Sequence, residues 1–577
     1  MLRAIARWRH FPGVLLIAGC TLGGLLVFRD YGLSWDEPLF YDYARSIRYA
    51  YSPREWFGGD FVLERAFGPS AEDHANRGPA HLLLAYPLQS TMQDLGLDLA
   101  SAWHLTNFLT FIFGVFVFYQ LCTRWLEPWS SFGAAALLAT QPLLWGHSFM
   151  NPKDSPFMVW FIASIWLGLL FVDAIRHVTA RWRVGLFALA AGGALGICSS
   201  IRVLAPFAGG LVILFGLLLR PWLSTSQPRI HLAEPQRRKL WWIAAYVAVA
   251  AVVMFITWPY LWPDPLTRII EVSGFMADNP TQLAVLFQGN IYPADALPRR
   301  YLPTLLAVSI TESALLLALA GLLLLAARSW IGSRWSGRSA DARTHSPEAA
   351  PSPTDLPPLR EMWLAVAWFL LPFGYVMWRQ PPMYDGYRHF LFILPPLFVL
   401  CGLALQELGK LLRGRWLHTM LVILMIAPGL RALSRLHPYE YAYFNSLAGG
   451  MAGAFRHYEL DYWLTCYKES MEALAASTEA PLTLYVRREP RIAQYYAPRE
   501  ILVHDYRLER GAIVAGDYIL VNTRANEDLR TFRDAPVVVD VGREGASFCL
   551  VKLVNSSALA FLGGSDEDSF SDKANTQ

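Results

Sequence analysis

FPGVLLIAGCTLGGLLVFRDYGLSWDEPLFYDYA, residues 11–44, decides how the chain is read. Its first part is apolar from 11 to 28, which matches the roughly 20 residues at about 1.5 Å rise that carry a helix across a bilayer. An acidic pair, Asp36-Glu37, then follows within ten residues of the apolar run's end. Arg3, Arg7 and Arg9 precede the run, as in the n-region of a signal peptide, and Ile17-Ala18-Gly19-Cys20 matches a lipoprotein cleavage box. Because the apolar run continues to Phe28, the expectation is an uncleaved signal anchor.

Further apolar segments lie at 101–123, 129–146, 156–175, 184–199, 203–219, 240–262, 303–327, 361–378, 389–408 and 416–430, so the predicted count is about eleven spans. Composition agrees. Of 577 residues 54% are apolar and only 16% charged, against about 25% charged in soluble domains, which points to a polytopic α-helical membrane protein. The 22 Trp and 25 Tyr suit interfacial belts or a sugar site. The net charge of +3 says little, because its distribution matters more.

That distribution sets orientation. With the N-terminus inside, the inside segments hold Arg124; Arg176, Arg181 and Arg183; Arg220, Arg229, Arg237, Arg238 and Lys239; Arg328, Arg334, Arg338 and Arg343; and Lys410, Arg413 and Arg415. The outside turns hold Lys153, Arg202, Arg379 and Arg388. An eleven-helix path fits this asymmetry and puts the N-terminus in the cytoplasm and the C-terminal region outside. The stretch PAHLLLAYPLQSTMQDL, 79–95, would invert every later loop if it spanned, so it is predicted to lie in the outer interface as an amphipathic helix.

The predicted organisation is a membrane domain over 1–430, a C-terminal extracytoplasmic region over 431–556 and a disordered tail over 557–577. Within the membrane domain, 29–100 forms a long first outer loop. The Pro- and Ser-rich stretch inside 328–360 reads as a disordered cytoplasmic loop. The runs LTLYV, EILVH, DYILV, PVVVDV and FCLVKLV predict a small α/β domain in the C-terminal region. Cys466 and Cys549 fall in that region and can pair if it is extracytoplasmic; spacing alone leaves this open.

Ionisable residues at membrane depth are functional candidates. Asp36-Glu37 read either as a solvated pair capping a loop helix or as carboxylates at the outer mouth of the bundle, able to take a proton from an acceptor hydroxyl. In NPKDSPF, 151–157, Asp154 reads as a cap for the following helix, as a second carboxylate facing Asp36, or as both; Lys153 beside it is available to a phosphate. Arg202, and Arg388-His389 in MYDGYRHFLFILPP, read as snorkelling side chains or as a phosphate-binding set. Arg77 and His81 are further loop candidates.

Taken together, these residues resemble the C-type polytopic membrane glycosyltransferases, bacterial family-39-like members above all: the protein O-mannosyltransferases and the lipid A aminoarabinose transferase. Asp36-Glu37 matches the acidic pair of that family's first outer loop. RGPAHLLLAYP, 77–87, is similar to its interfacial HPPLGK-type segment, although His81 is displaced from the motif's first position and no Lys follows. HLTNFLTFIFG, 104–114, stands where the family has an RL-start, NPKDSPF matches the second acidic loop, and YRHFLFILPP, 387–396, is similar to the late RY/RH-x-LP helix. HPYEYAYFNSLAGGMAGAFRHYELDYW, 437–463, also looks like a segment of bacterial members, with no role attached. The WWDxG signature of oligosaccharyltransferases is absent.

The resemblance implies an inverting transfer of one sugar from a polyprenyl-phosphate carrier to a hydroxyl on a protein, lipid or glycan. It implies Asp36 as the catalytic carboxylate, with Glu37 and Asp154 beside it and Lys153, Arg202, Arg388 and His389 receiving the donor phosphate. The expected setting is the bacterial inner (plasma) membrane, with the C-terminal region periplasmic. Partners are the lipid-linked sugar, the acceptor and membrane lipids, and no nucleic acid. No cofactor is required by the chemistry; because some members of the resembled family hold a divalent metal near the first loop, that metal is left open. A polytopic lipid or sugar transporter or flippase is the alternative function, and a non-catalytic scaffold a third.

Overall fold

The computed structural model describes residues 11–69, 74, 76–178, 180–218, 236–277, 281, 283–341, 361–412, 414–478 and 481–560. The chain is a multi-pass membrane protein with a C-terminal sheet domain. Its helices are α1 (Phe11–Val27), α2 (Glu37–Ser46), α3 (Ala80–Asp94), α4 (Leu99–Cys122), α5 (Pro128–Ala139), α6 (Pro142–Met150), α7 (Asp154–His177), α8 (Arg181–Ile201), α9 (Pro206–Leu211) and α10 (Gln236–Thr257). They continue as α11 (Pro265–Ala277), α12 (Tyr301–Ser309), α13 (Glu312–Asp341), α14 (Trp363–Arg379), α15 (Pro395–Leu411), α16 (Arg415–Leu436) and α17 (Tyr467–Ser477), with shorter helices between. Among the described residues seven helices are long and apolar enough to cross a membrane, and three shorter apolar helices accompany them.

The expected span 129–146 is broken. Pro142 removes a backbone donor, so the chain stops at Ala139 and restarts as α6. The expected span 303–327 is likewise split, between α12 and α13. Broken helices at this depth persist only where other groups satisfy the freed backbone. Buried Gln141, which stands in the first break, does this for the second: its Nε2 donates to the Ser309 carbonyl at 2.8 Å and its Oε1 accepts from the Thr311 amide at 3.2 Å. Asn445 completes the second break, donating to the Ala307 and Ile310 carbonyls at 2.7 Å each.

The two ends of the bundle carry separate charge sets. At one end Arg124 pairs with Asp173 at 2.5 Å and Glu361 at 2.7 Å, and Arg328 pairs with Glu407. At the other end lie the turns bearing Asp36, Lys153, Arg202 and Arg388. α3 packs on α4 and α8. Gly78, just before it, meets the end of α8 so closely that a Cβ there would stand 2.0 Å from the Ser200 carbonyl oxygen. α13 runs on to Asp341, so 328–341 is helical where a disordered loop was expected; the apolar core of a preceding span carries the helix into that polar stretch. The rest of that loop, the basic run Arg3, Arg7 and Arg9, and the tail from 561 lie outside the described residues.

The C-terminal sheet has five strands, β3 (Leu482–Val486), β4 (Ile501–Asp505), β5 (Tyr518–Asn522), β6 (Val537–Arg543) and β7 (Ala546–Leu553), in the order β4-β3-β5-β7-β6. β3 runs parallel to β4 and β5, and β7 antiparallel to β5 and β6. Cys466 and Cys549 form a disulfide across 83 residues. The sheet rests on the Asp36 end of the bundle: Leu33 N donates to Tyr496 Oη at 2.9 Å, and Trp35 N to the Trp463 carbonyl at 3.2 Å. A hairpin, β1 (Ala284–Phe287) with β2 (Asn290–Pro293), was not foreseen; Phe287 bridges it to Tyr458.

Candidate active site

Each charged side chain of the cluster sits where a helix begins or ends. Asp36 is the residue before α2, with Pro38 in that helix's first turn. Asp154 opens α7; the Asn151 side chain accepts from the amides of Lys153 and Asp154 at 3.1 and 2.8 Å and fixes the turn. Arg202 follows α8, and Arg388 opens the 3-10 segment Arg388–Ile393, kinked at Phe390, that leads into α15. Four separate segments therefore bring their ends to one place.

Arg388 is the hub. Its Nη1 lies 2.8 Å from Asp36 Oδ2 and 3.3 Å from Asp154 Oδ2, and its Nη2 lies 3.0 Å from Asp385 Oδ2. Arg202 pairs with the other Asp154 oxygen. Lys153 Nζ stands 3.9 Å from Asp36 Oδ2 and over the Phe40 ring. Arg388 stacks on Trp463, 5.0 Å from its ring centre, and on Tyr384. Arg388 and Asp154 are almost fully buried, whereas the Asp36 side chain keeps 18% of its surface and is the carboxylate an incoming group can reach.

Burial opposes the charge on Asp36, but Arg388, Lys153 and Arg77 outweigh it and hold the carboxyl below its usual range. Burial, reinforced by Arg77, pulls the Lys153 ammonium well below its ordinary value, with Asp154 and Asp36 opposing. Two buried donors, Arg388 Nε and Arg202 Nε, have no hydrogen-bond partner among the described residues. Buried N–H groups are almost always paired. Two orphaned guanidinium donors in one cluster are open positions for an anion.

The remaining sequence candidates divide. Arg77 lies near enough to act on both Asp36 and Lys153, and its guanidinium reaches over Phe40. His389 packs edge-on against Tyr384, beside Arg388. Glu37 does not join the cluster. Its oxygens are taken by the Ser34 amide at 2.6 Å and the Tyr41 hydroxyl, with His104 Nε2 at 3.1 Å. His81 is buried next to Asn107, and burial pushes its imidazole down to about 4, so it carries no charge for a phosphate at neutral pH.

Three residues of the cluster were not foreseen: Asp385, Trp463 and Arg524. Asp385 stands three positions before Arg388, a spacing that could have flagged it. Trp463 and Arg524 reach the site from the C-terminal region, and no local signal marks them. The segment 437–463 now has a structural place. It closes the site end of the bundle: His437 meets Asp30 at 2.9 Å, Tyr462 Oη meets His147 Nε2 at 3.0 Å, and Trp463 floors Arg388.

A divalent metal does not fit the cluster, because Asp36, Asp154 and Asp385 are each already held by an arginine and Lys153 stands beside them. Asp461 with Cys466 and Cys549 has the spacing of a metal site. The two cysteines are spent in the disulfide, however, and Asp461 accepts from Tyr441 and from the Trp463, Thr465 and Cys466 amides.

No family model matches the chain, and no curated protein does. Solved structures do. ArnT from Cupriavidus metallidurans in the apo state matches at 13% identity and a TM-score of 0.44, over 93% of this chain and 97% of that one. The oligosaccharyltransferase AglB from Archaeoglobus fulgidus, in complex with an inhibitory peptide and a dolichol-phosphate, matches at 12% and 0.46, over 91% and 70%. The arabinofuranosyltransferase AftD from Mycobacteria matches at 13% and 0.40, over 93% and 40%. At these scores the likeness carries no residue role.

Proposed function

We propose that the chain is a glycosyltransferase that moves one sugar from a polyprenyl-phosphate carrier to a hydroxyl acceptor at the extracytoplasmic face of the inner membrane, with inversion. The observation that carries this reading is the meeting of Asp36 and Asp154 on one guanidinium, Arg388, with the Arg202 and Arg388 Nε donors unpaired beside them. An anion held there would sit against Lys153 and the two arginines, next to the one partly exposed carboxylate. ArnT has been solved bound to undecaprenyl phosphate and AglB with dolichol-phosphate, and ligands of that chemistry suit this set of donors.

The chemistry follows from the charges. Asp36 is ionised at neutral pH and accepts a hydrogen bond from the acceptor hydroxyl. The hydroxyl oxygen attacks the anomeric carbon as the bond to the phosphate oxygen breaks, and the carrier phosphate leaves with the electron pair. Arg388, Arg202 and Lys153 stabilise that charge where it develops. Asp36 takes the acceptor proton late, once the attacking oxygen has become strongly acidic, because its lowered pKa makes it a weak base towards a free alcohol. Asp154 holds Arg388 and Arg202 in place, and Arg77 and His389 border the phosphate. The sugar bond is made on the face opposite to the one broken, which is inversion.

The N-terminus is assigned to the cytoplasm and 431–556 to the periplasm, and the Cys466–Cys549 disulfide supports an oxidising compartment for that region. The test is Asp36→Asn in membranes supplied with a labelled polyprenyl-phosphate sugar. Transfer is expected to fall by roughly 10²- to 10⁴-fold with insertion unchanged. Wild-type activity in the folded variant would remove Asp36 from the mechanism. Carrier flux across liposomes without transfer would instead favour a flippase.

A further inference from the structure

The site is not closed by the membrane bundle alone. Asp385 is fully buried, and its two oxygens look in opposite directions. Oδ2 faces Arg388 at 3.0 Å and accepts from Trp463 Nε1 at 3.2 Å; Oδ1 accepts from Arg524 Nη1 at 2.5 Å. Arg524 stands two residues after β5 of the C-terminal sheet, and its side chain is 1% exposed. It also donates to the Tyr462 carbonyl at 2.9 Å, stands 3.7 Å from Glu459, and lies over the ring of Trp35 at 4.6 Å, next to Asp36. One side chain of the C-terminal domain thus touches both arms of the site, the Asp36 turn through Trp35 and Arg388 through Asp385.

Charge explains why such a residue is needed. Arg388 faces three carboxylates: Asp36, Asp154 and Asp385. A buried carboxylate without a partner is costly, so an unpaired Asp385 would compete for the guanidinium. Arg524 neutralises Asp385 from the far side and leaves Arg388 Nη1 to Asp36 and Asp154. Its own backbone is fixed: Arg524 N donates to Asn522 Oδ1 at 2.6 Å, and Asn522 Nδ2 donates to the Asp461 carbonyl at 2.8 Å beside the disulfide.

We propose that Arg524 is a positioning residue which, through Asp385, holds the Arg388 guanidinium between Asp36 and Asp154, so that the C-terminal sheet is part of the catalytic device. Its consequence for activity rests on the glycosyltransferase reading; its geometry does not. The groups facing Asp36 are Arg388, Lys153, Arg77 and Asp154. If Arg388 withdraws towards an unpaired Asp385, the carboxyl of Asp36 loses its strongest cationic neighbour and titrates at higher pH.

The experiment compares Arg524→Gln, Arg524→Lys and the double variant Arg524→Gln/Asp385→Asn as full chains in detergent. In a cryo-electron structure of R524Q, Arg388 is expected to have left Asp36 while the bundle is unchanged; in the double variant, where position 385 carries no charge to compete for the guanidinium, it returns. Persistence of the Arg388–Asp36 contact in R524Q overturns the proposal whether or not the chain transfers sugar. With a labelled polyprenyl-phosphate sugar, R524Q is expected to lose roughly 10- to 100-fold in kcat, with the acid limb of its pH profile moved upward. R524K keeps the limb in place, and the double variant recovers most of the loss. A folded double variant as inactive as R524Q overturns the charge argument. If R524Q does not fold, the double variant decides alone: Arg388 on Asp36 and Asp154 supports the proposal, and Arg388 displaced from them overturns it. Absence of transfer by the wild type counts against the enzyme reading only and leaves the structural arm standing.

Discussion

Glu459 shows what a single buried carboxyl does at the edge of this site. Among the described residues no well-aligned donor reaches either of its oxygens; the Leu286 amide and the Arg524 guanidinium lie beside it. Burial pushes its pKa up from 4.5 to about 7, against the pull of Arg524. The folded state therefore binds more protons than the unfolded chain between those values, and stability falls as pH rises through that window. Glu459→Gln removes the titration. The variant is expected to gain melting temperature relative to wild type as pH goes from 5 to 8, with the difference smallest at the acid end. Thermal unfolding in detergent at both pH values checks this, and a difference independent of pH refutes it. Asp36 has the opposite sign: its lowered pKa means that its stabilising contacts are complete above the unfolded value and are lost only as pH falls through the folded one. At this scale Asp36, Lys153, Asp154, Arg202 and Arg388 were legible in the sequence, because charges at the ends of apolar runs stand out. Asp385 and Arg524 were not, because their meaning comes from a contact 139 residues apart.

At the scale of elements, the five strands of the C-terminal sheet were legible almost to the residue, since short β-branched runs between turn residues have few other readings, whereas the β1–β2 hairpin was not. The apolar spans were legible too, but their breaks were not. Hydropathy averages over a window, and the interruption at Thr140-Gln141-Pro142 leaves the average intact. What the average hides is a polar side chain with a definite task. Gln141 joins the α5/α6 break to the α12/α13 break through two hydrogen bonds at membrane depth. Gln141→Leu keeps the volume and leaves the Ser309 carbonyl and the Thr311 amide without that partner. The expected cost is about 1–3 kcal/mol for each group stranded. Gln141→Glu should fare little better, because it keeps an acceptor for Thr311 but has no donor for Ser309. Unfolding midpoints in detergent measure the effect, and a Leu variant as stable as wild type would show that solvent or backbone movement satisfies these groups.

For the whole molecule, the decisive question is which ends of the helices share a side. The chain passes from the Asp36 turn through α4 to Arg124, back through the broken α5–α6 pair to Lys153, and along α7 to Asp173 and the far end. The ion pairs of Arg124 with Asp173 and Glu361 gather the far ends, and Arg388 gathers the near ones. The sheet, tied to Leu33, Trp35 and Ala100, belongs to the near end. Basic-loop counting divides the ends as the coordinates do; it assigns the near end to the outside, an assignment no coordinate shows. Cysteine labelling in right-side-out spheroplasts tests it, in a Cys20→Ser background, since Cys122, Cys198 and Cys401 are buried and Cys466 and Cys549 are paired. Arg54→Cys and Arg491→Cys, both exposed and both on the near end, are expected to react with a membrane-impermeant maleimide in intact spheroplasts. Arg183→Cys, exposed at the start of α8, is expected to react only after permeabilisation. If positions 54 and 491 label on opposite sides, the sheet cannot reach Asp36 and Arg388 as described. If all three label together from outside, the near end keeps its geometry but α8 no longer begins in the cytoplasm, and the supply of a lipid-linked donor from the outer leaflet loses its footing.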